Sequence, residues 1–320
     1  EVARRGEELL KRRCTWETNR PIVNLDDADV ASRLFRLFLG SSLDVPVESR
    51  VLPASPAVKL KIINLVTRSI AAADMFPKNI EVVKMCLYGE GTTTRLKACG
   101  MEFTVWILTH ATNAELAAFA PSLMAGMIEI LDSRLDGSVQ GERGATFAQE
   151  SLRGFCYQAL SQLVERDRSS ANKDVLLAER IFSALDTEPD GVKPYVQEAA
   201  RVLIKAYRES PSTYVQTRME ELILSAVVDK DNRTKRLVGA QWANEMFPFS
   251  HIPSRYAAIV VSGDSKHEMQ VLGRAGLRPS TTRETMASAT LSIEPWEGCD
   301  RDVEPKTWAN EDALFDDLAV

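Results

Sequence analysis

The chain has 320 residues, 45% hydrophobic and 26% charged, the balance of a globular protein with ample apolar material for a core. Its formal charge of −6 is unevenly spread, because nine of the acids lie from Glu294 onward, where the only cations are Arg301 and Lys306. The body is therefore close to neutral and carries no broad field for gathering nucleic acid or an anionic membrane.

Apolar periodicity predicts helices at 2–13, 27–39, 56–72, 77–88, 93–110, 114–132, 145–165, 174–186, 193–208, 212–229, 233–246, 253–262 and 265–277. The first carries a basic cluster, Arg4, Arg5, Lys11, Arg12 and Arg13, read as a solvated helix face or as a surface for an acidic partner. A short strand-like alternation around 45–52 interrupts the helical pattern. Ser55-Pro56 then sets a cap and a first-turn proline for 56–72. Gly89 to Thr94 looks briefly like a phosphate loop, but it lacks the GK[ST] ending and reads as a loop closed by a threonine cap. Pro121 is expected to start or kink the helix that contains it.

Three stripes are the cleanest. They are Ala148-Leu152-Phe155-Cys156-Ala159-Leu160-Leu163, Val196-Ala199-Ala200-Leu203-Ala206-Tyr207 and Val215-Met219-Leu222-Ile223-Ala226-Val227. Glu188-Pro189-Asp190-Gly191 marks a turn, and Ser265 with Glu268 fits a capping box. The tail, 278–320, is acidic and carries Trp296, Trp308 and Phe315. It reads either as a docking motif for a groove or as a segment folded back on the array.

Helix pairs starting near 56, 93, 145, 193 and 233 are spaced 40–50 residues apart, close to the HEAT and armadillo period. One pair cannot bury its own apolar face, whereas stacked neighbours make a continuous core and leave long open surfaces. The expected fold is all-α, a HEAT-like α-solenoid of antiparallel helix pairs over 1–277; a compact helical bundle is the competing architecture.

No residues are nominated as catalytic, cofactor-binding or metal-binding. His110, His251 and His267 lie far apart and form no HExxH; His110, ending an apolar helix, reads as a satisfied structural histidine. Ser170 and Lys173 have SxxK spacing without the partner motifs of that chemistry. Glu220-Glu221 reads as a solvated pair. Cys14, Cys86, Cys99, Cys156 and Cys299 form no CxxC, and Cys86, Cys99 and Cys156 read as buried small hydrophobes, a pattern suited to cytosol or nucleus. The sequon at Asn232 is taken as chance. No apolar run is expected to span a bilayer and no signal peptide is recognised. The start at Glu1 suggests a piece of something longer.

A series of short motifs adds a resemblance. Val2 to Arg12 is followed by Leu34-Phe35-Arg36-Leu37-Phe38-Leu39-Gly40, Val58 to Ile63 and Phe76-Pro77-Lys78-Asn79-Ile80. Then come Phe247-Pro248-Phe249-Ser250-His251-Ile252-Pro253-Ser254-Arg255-Tyr256 and Gly263-Asp264. This series resembles the N-terminal part of the large HEAT-repeat proteasome adaptor family called "extracellular mutant 29", from about Val2 to Leu277; 279–320 matches nothing in it. The resemblance implies a non-catalytic scaffold without cofactors that binds proteasome core and regulatory particles, tethers them and serves assembly quality control. Cytoplasm and nucleus are the expected locations. The alternative is another HEAT scaffold, of the nuclear-transport or phosphatase type. His251 and Arg255 are read as tying a helix start within a hinge, and Lys59, Lys97 and Lys235 as reporters of which edge faces a partner.

Overall fold

The structure is a computed structural model that describes residues 25–41, 46–133 and 143–278, with Arg5 and the stretches 291–292 and 307–308. Apart from Arg5, the predicted first helix and its basic cluster lie outside the described residues, as does most of the acidic tail. Among the described residues the fold is all-helical apart from a two-residue antiparallel ladder, Leu291–Ser292 with Thr307–Trp308. The chain divides after Arg166 into two compact units, and each is an α-solenoid segment of consecutively packed helices.

The first unit contains α1 (Ala28–Leu39), α2 (Pro56–Val66), α3 (Ile70–Ala73), α4 (Lys78–Tyr88), α5 (Thr94–His110), α6 (Asn113–Asp132) and α7 (Arg143–Arg166). Helices α2, α5 and α7 stack as one layer; α1 packs on α4 in the other, while α4 covers α5 and α6 covers α7. Asp27 starts α1 by accepting the N–H groups of Asp29 and Val30 at 2.8 and 3.2 Å. Gly40 ends it at φ +83°, where an added Cβ would meet Pro53 Cδ at 2.9 Å. The strand-like stretch after it forms a 3₁₀ turn at Val47–Ser49, with backbone bonds from Ser41 and Ala54 returning it to the end of α1.

The helix expected over 56–72 is broken. Ser69 Oγ accepts the N–H of Ala72 and donates to the Leu25 carbonyl at 2.6 Å, so a new helix starts there, anchored to the lead-in of α1. Pro121 neither starts nor ends a helix, because α6 runs through it from a capping box made by Thr112 and Glu115. Pro121 and Ala117 both face solvent, so the carbonyl that loses its intrahelical donor can be hydrated. The helix expected over 114–132 is thus present as α6, but the expectation that no apolar run could span a bilayer does not hold for it. At 20 residues and mean hydropathy 1.5 it is long and apolar enough to cross a membrane, yet it buries Leu116, Phe119, Leu123 and Met127 as a layer of the solenoid.

The second unit contains α8 (Leu176–Thr187), α9 (Lys193–Arg208), α10 (Thr213–Val227), α11 (Arg233–Met246), α12 (Ile252–Ser262) and α13 (His267–Gly276). Here the pattern is regular: α8/α9, α10/α11 and α12/α13 pack as successive hairpins. Helices α9, α11 and α13 stack as one layer and α8, α10 and α12 as the other. Each amphipathic stripe faces the layer opposite, as Val196, Ala199, Ala200, Leu203 and Tyr207 do in α9, all buried. At the centre, Trp242 sits edge-on to Phe182 with ring centroids 4.9 Å apart, and its Nε1–H donates to the Ala200 carbonyl at 3.0 Å. The predicted turn at 188–191 separates α8 from α9. The predicted capping box does not form: α13 starts after Lys266 without a side-chain cap, and Glu268 instead pairs with Arg233 of α11 at 2.6 Å.

Candidate functional site

Side chains that close helix ends occupy most of the polar positions singled out by the sequence. His251 is the N-cap of α12, its Nδ1 accepting the Ser254 N–H at 3.3 Å while Nε2 lies 3.5 Å from Glu220 of α10. Its ring stacks on Phe247 at 4.2 Å. Arg255 is buried, donates to the Gly276 carbonyl and to Ser254 Oγ, and lies over the Phe249 ring. These two side chains thus join the start of α12 to the end of α13 and to α10. Glu220 is correspondingly a tie between helices as well as part of an acidic pair.

Ser170 Oγ donates to the Asp167 carbonyl in a 3₁₀ turn, and the Asn172 amide donates to Ala206, so the SxxK residues belong to a loop packed on α9. Thr93 caps α5 through the Leu96 N–H. His267 begins α13. His110 differs from its expected role: among the described residues its buried Nε2 has no hydrogen-bond partner, and neither has Nε1 of Trp106, whose ring lies 4.7 Å away.

Two of the cysteines expected to be buried are so, Cys86 and Cys156, while Cys99 is half-buried with its Sγ near Asn64. Cys14 and Cys299 lie outside the described residues. Burial pushes the Cys86 thiol up to about 12; burial and then Glu102 raise that of Cys99. Neutral thiols of this kind are poor nucleophiles. No group of three or more His, Cys, Asp or Glu among the described residues has metal-holding geometry.

What remains is surface. In the second unit each helix of one layer exposes a large apolar side chain: Leu176 on α8, Tyr214 on α10, and Tyr256 with Val260 on α12. Periodicity cannot find these, since each lies off the buried stripe that periodicity detects. Ion pairs join neighbouring helices of that unit, Arg218 to Glu179, Arg233 to Glu268, and Lys235 to Asp186 and Asp229. Of the lysines expected to report an exposed edge, Lys59 is buried beneath the surface with its ammonium over the Phe38 ring, and Lys235 is engaged in those pairs. Lys97 is half-exposed.

Comparison with known proteins gives one family. The sequence model described as "Proteasome component ECM29, N-terminal" matches residues 1–260. The human "Proteasome adapter and scaffold protein ECM29" is 25% identical over 291 residues, covering 87% of this chain but 15% of the relative. The chain therefore spans about 15% of the length of the curated relative it matches. Among solved structures, a crystal structure of an engineered protein covers 85% of this chain and 94% of its own, at 11% identity and a TM-score of 0.37. That likeness is too remote to add to the description of the fold.

Proposed function

This chain belongs to the proteasome component ECM29 N-terminal family, and from that premise we propose that it is a non-catalytic, HEAT-type segment of a proteasome adaptor and scaffold. In this reading it helps tether core and regulatory particles and takes part in assembly quality control, in cytoplasm and nucleus, without cofactor, nucleic acid or membrane insertion. The observation that carries the scaffold reading is the layered stacking of the second unit. Its hairpins begin at residues 176, 213 and 252, a spacing near the HEAT period of two helices. Such stacks spend their polar side chains on closing helix ends and joining neighbours, and present extended faces rather than an enclosed site. The exposed Leu176, Tyr214 and Tyr256 fit a face that meets a partner, because aromatic side chains are enriched where interfaces are buried.

Purification of the tagged full-length protein tests this, with quantitative mass spectrometry of what co-purifies. Core and regulatory particle subunits together are expected. Recovery of neither overturns the assignment, and recovery of one without the other overturns tethering. Crosslinks should come from the exposed Lys78 and Lys84 rather than from the buried Lys59.

A further inference from the structure

The first unit holds a cleft of about 750 Å³ between α1 and the face of α4 that carries Lys78, Glu81, Lys84 and Met85, a volume within the range of ligand-binding clefts. Leu39 and Met85, both partly exposed, supply its apolar surface, Phe35 lies fully buried beneath, and Arg36, Lys78 and Lys84 stand exposed around it. None of these three cations makes an ion pair among the described residues. Glu81 is the one carboxylate lining the cleft. The cations around it are thus not used to join helices, and they outnumber the opposing charge three to one.

We infer that this cleft docks an acidic segment of a partner protein, one that seats an apolar side chain on Leu39 and Met85 and sets carboxylates beside Arg36, Lys78 and Lys84. Charge complementarity selects the occupant. A basic or uncharged segment would leave three cations unsatisfied or repelled, whereas an acidic one pairs them across a partly desolvated rim. Arg36 offers a planar fork for bidentate carboxylate pairing, and the two lysines contribute point charges. Glu81 sets a register, because a carboxylate placed against it is repelled. The inference concerns this cleft alone and is independent of the proteasome assignment.

Fluorescence anisotropy with the full chain tests it, using labelled short peptides in which glutamates flank a central phenylalanine. The controls replace the glutamates by lysine or glutamine, or the phenylalanine by serine. The acidic, aromatic peptide is expected to bind, and binding should weaken as salt rises. Arg36→Glu with Lys84→Glu should weaken it at least about tenfold, about 1.4 kcal/mol. Reversal of Lys205, an exposed lysine of α9, should leave it unchanged. Circular dichroism confirms that the variants fold, and Lys84→Gln, a milder change, should give a smaller loss. Absence of binding by the acidic peptide, equal binding of the lysine peptide, or undiminished binding by a folded double variant overturns the inference. Co-purification of proteasomes by the same full-length variants reads the scaffold assignment separately.

Discussion

The hydroxyl of Tyr207 on α9 accepts the backbone N–H of Ala178 at 3.1 Å, in the first turn of α8. That turn lacks an ordinary cap, because Val175 precedes it and offers no side-chain acceptor, although Asp174 takes the N–H of Leu176. A tyrosine from the next helix therefore completes the end of α8. Burial raises the phenol above its ordinary range, so it remains a neutral hydroxyl. Tyr207→Phe keeps the ring but leaves a buried N–H unpaired. The expected cost is about 1–3 kcal/mol, measured by chemical denaturation; an unchanged midpoint would show that another acceptor replaces the hydroxyl.

Arg153 plays the corresponding part at a carboxyl end. From α7 its guanidinium donates to the carbonyls of Ile130, Leu131 and Ser133 at 2.9–3.3 Å, closing α6. Arg166 treats α5 similarly, through Leu108 at 2.7 Å. A single ammonium cannot reproduce a planar fork spread over three carbonyls. Arg153→Lys is expected to cost about 1–2 kcal/mol and Arg153→Met about 2–3 kcal/mol. Equal stability of both variants and the parent in urea unfolding would show that hydration satisfies these carbonyls.

Trp106 and His110 invert that logic. Each has a buried ring nitrogen with no partner among the described residues, so the imidazole bears a desolvation cost without a returning bond. His110→Phe retains a ring against Trp106 and removes one orphaned polar atom. Its stability should be unchanged or higher by up to about 1 kcal/mol, read from the denaturation midpoint. A loss of similar size would show that the histidine makes a contribution through its other nitrogen.

Helix positions were legible because burial imposes a period that 193–208 and 233–246 display without interruption, and the structure has helices at those same bounds. Failures occurred where a local signal competes with a distant group. Nothing near Ser69 announces that Leu25 will receive its hydroxyl, and nothing near Ser265 says that Glu268 will turn to Arg233 instead of its own helix. Tyr207 was likewise readable as a member of a stripe and Arg153 was not singled out, because their capping partners lie twenty or more residues away in sequence. The cleft at Arg36, Lys78 and Lys84 joins two separate helices, so no spacing encodes it.

His251 carries a pH dependence whose sign follows from its setting. Burial, the largest cause, lowers its pKa below the ordinary 6.5, and Arg255 acts in the same direction, while Glu220 opposes them. The folded state therefore favours neutral imidazole, and between the folded and unfolded pKa values the unfolded chain binds more protons. This stabilising contribution is fully present above about 6.5, the unfolded value, and is lost as pH falls through the folded value. The geometry agrees, since Nδ1 must be unprotonated to accept the Ser254 N–H that starts α12. His251→Asn preserves an N-cap acceptor without a titrating ring. Urea unfolding from about pH 5 to 8 should show the parent losing stability toward acid more steeply than this variant. Parallel profiles would place the acid sensitivity elsewhere, and a steeper loss in the variant would reverse the assigned sign.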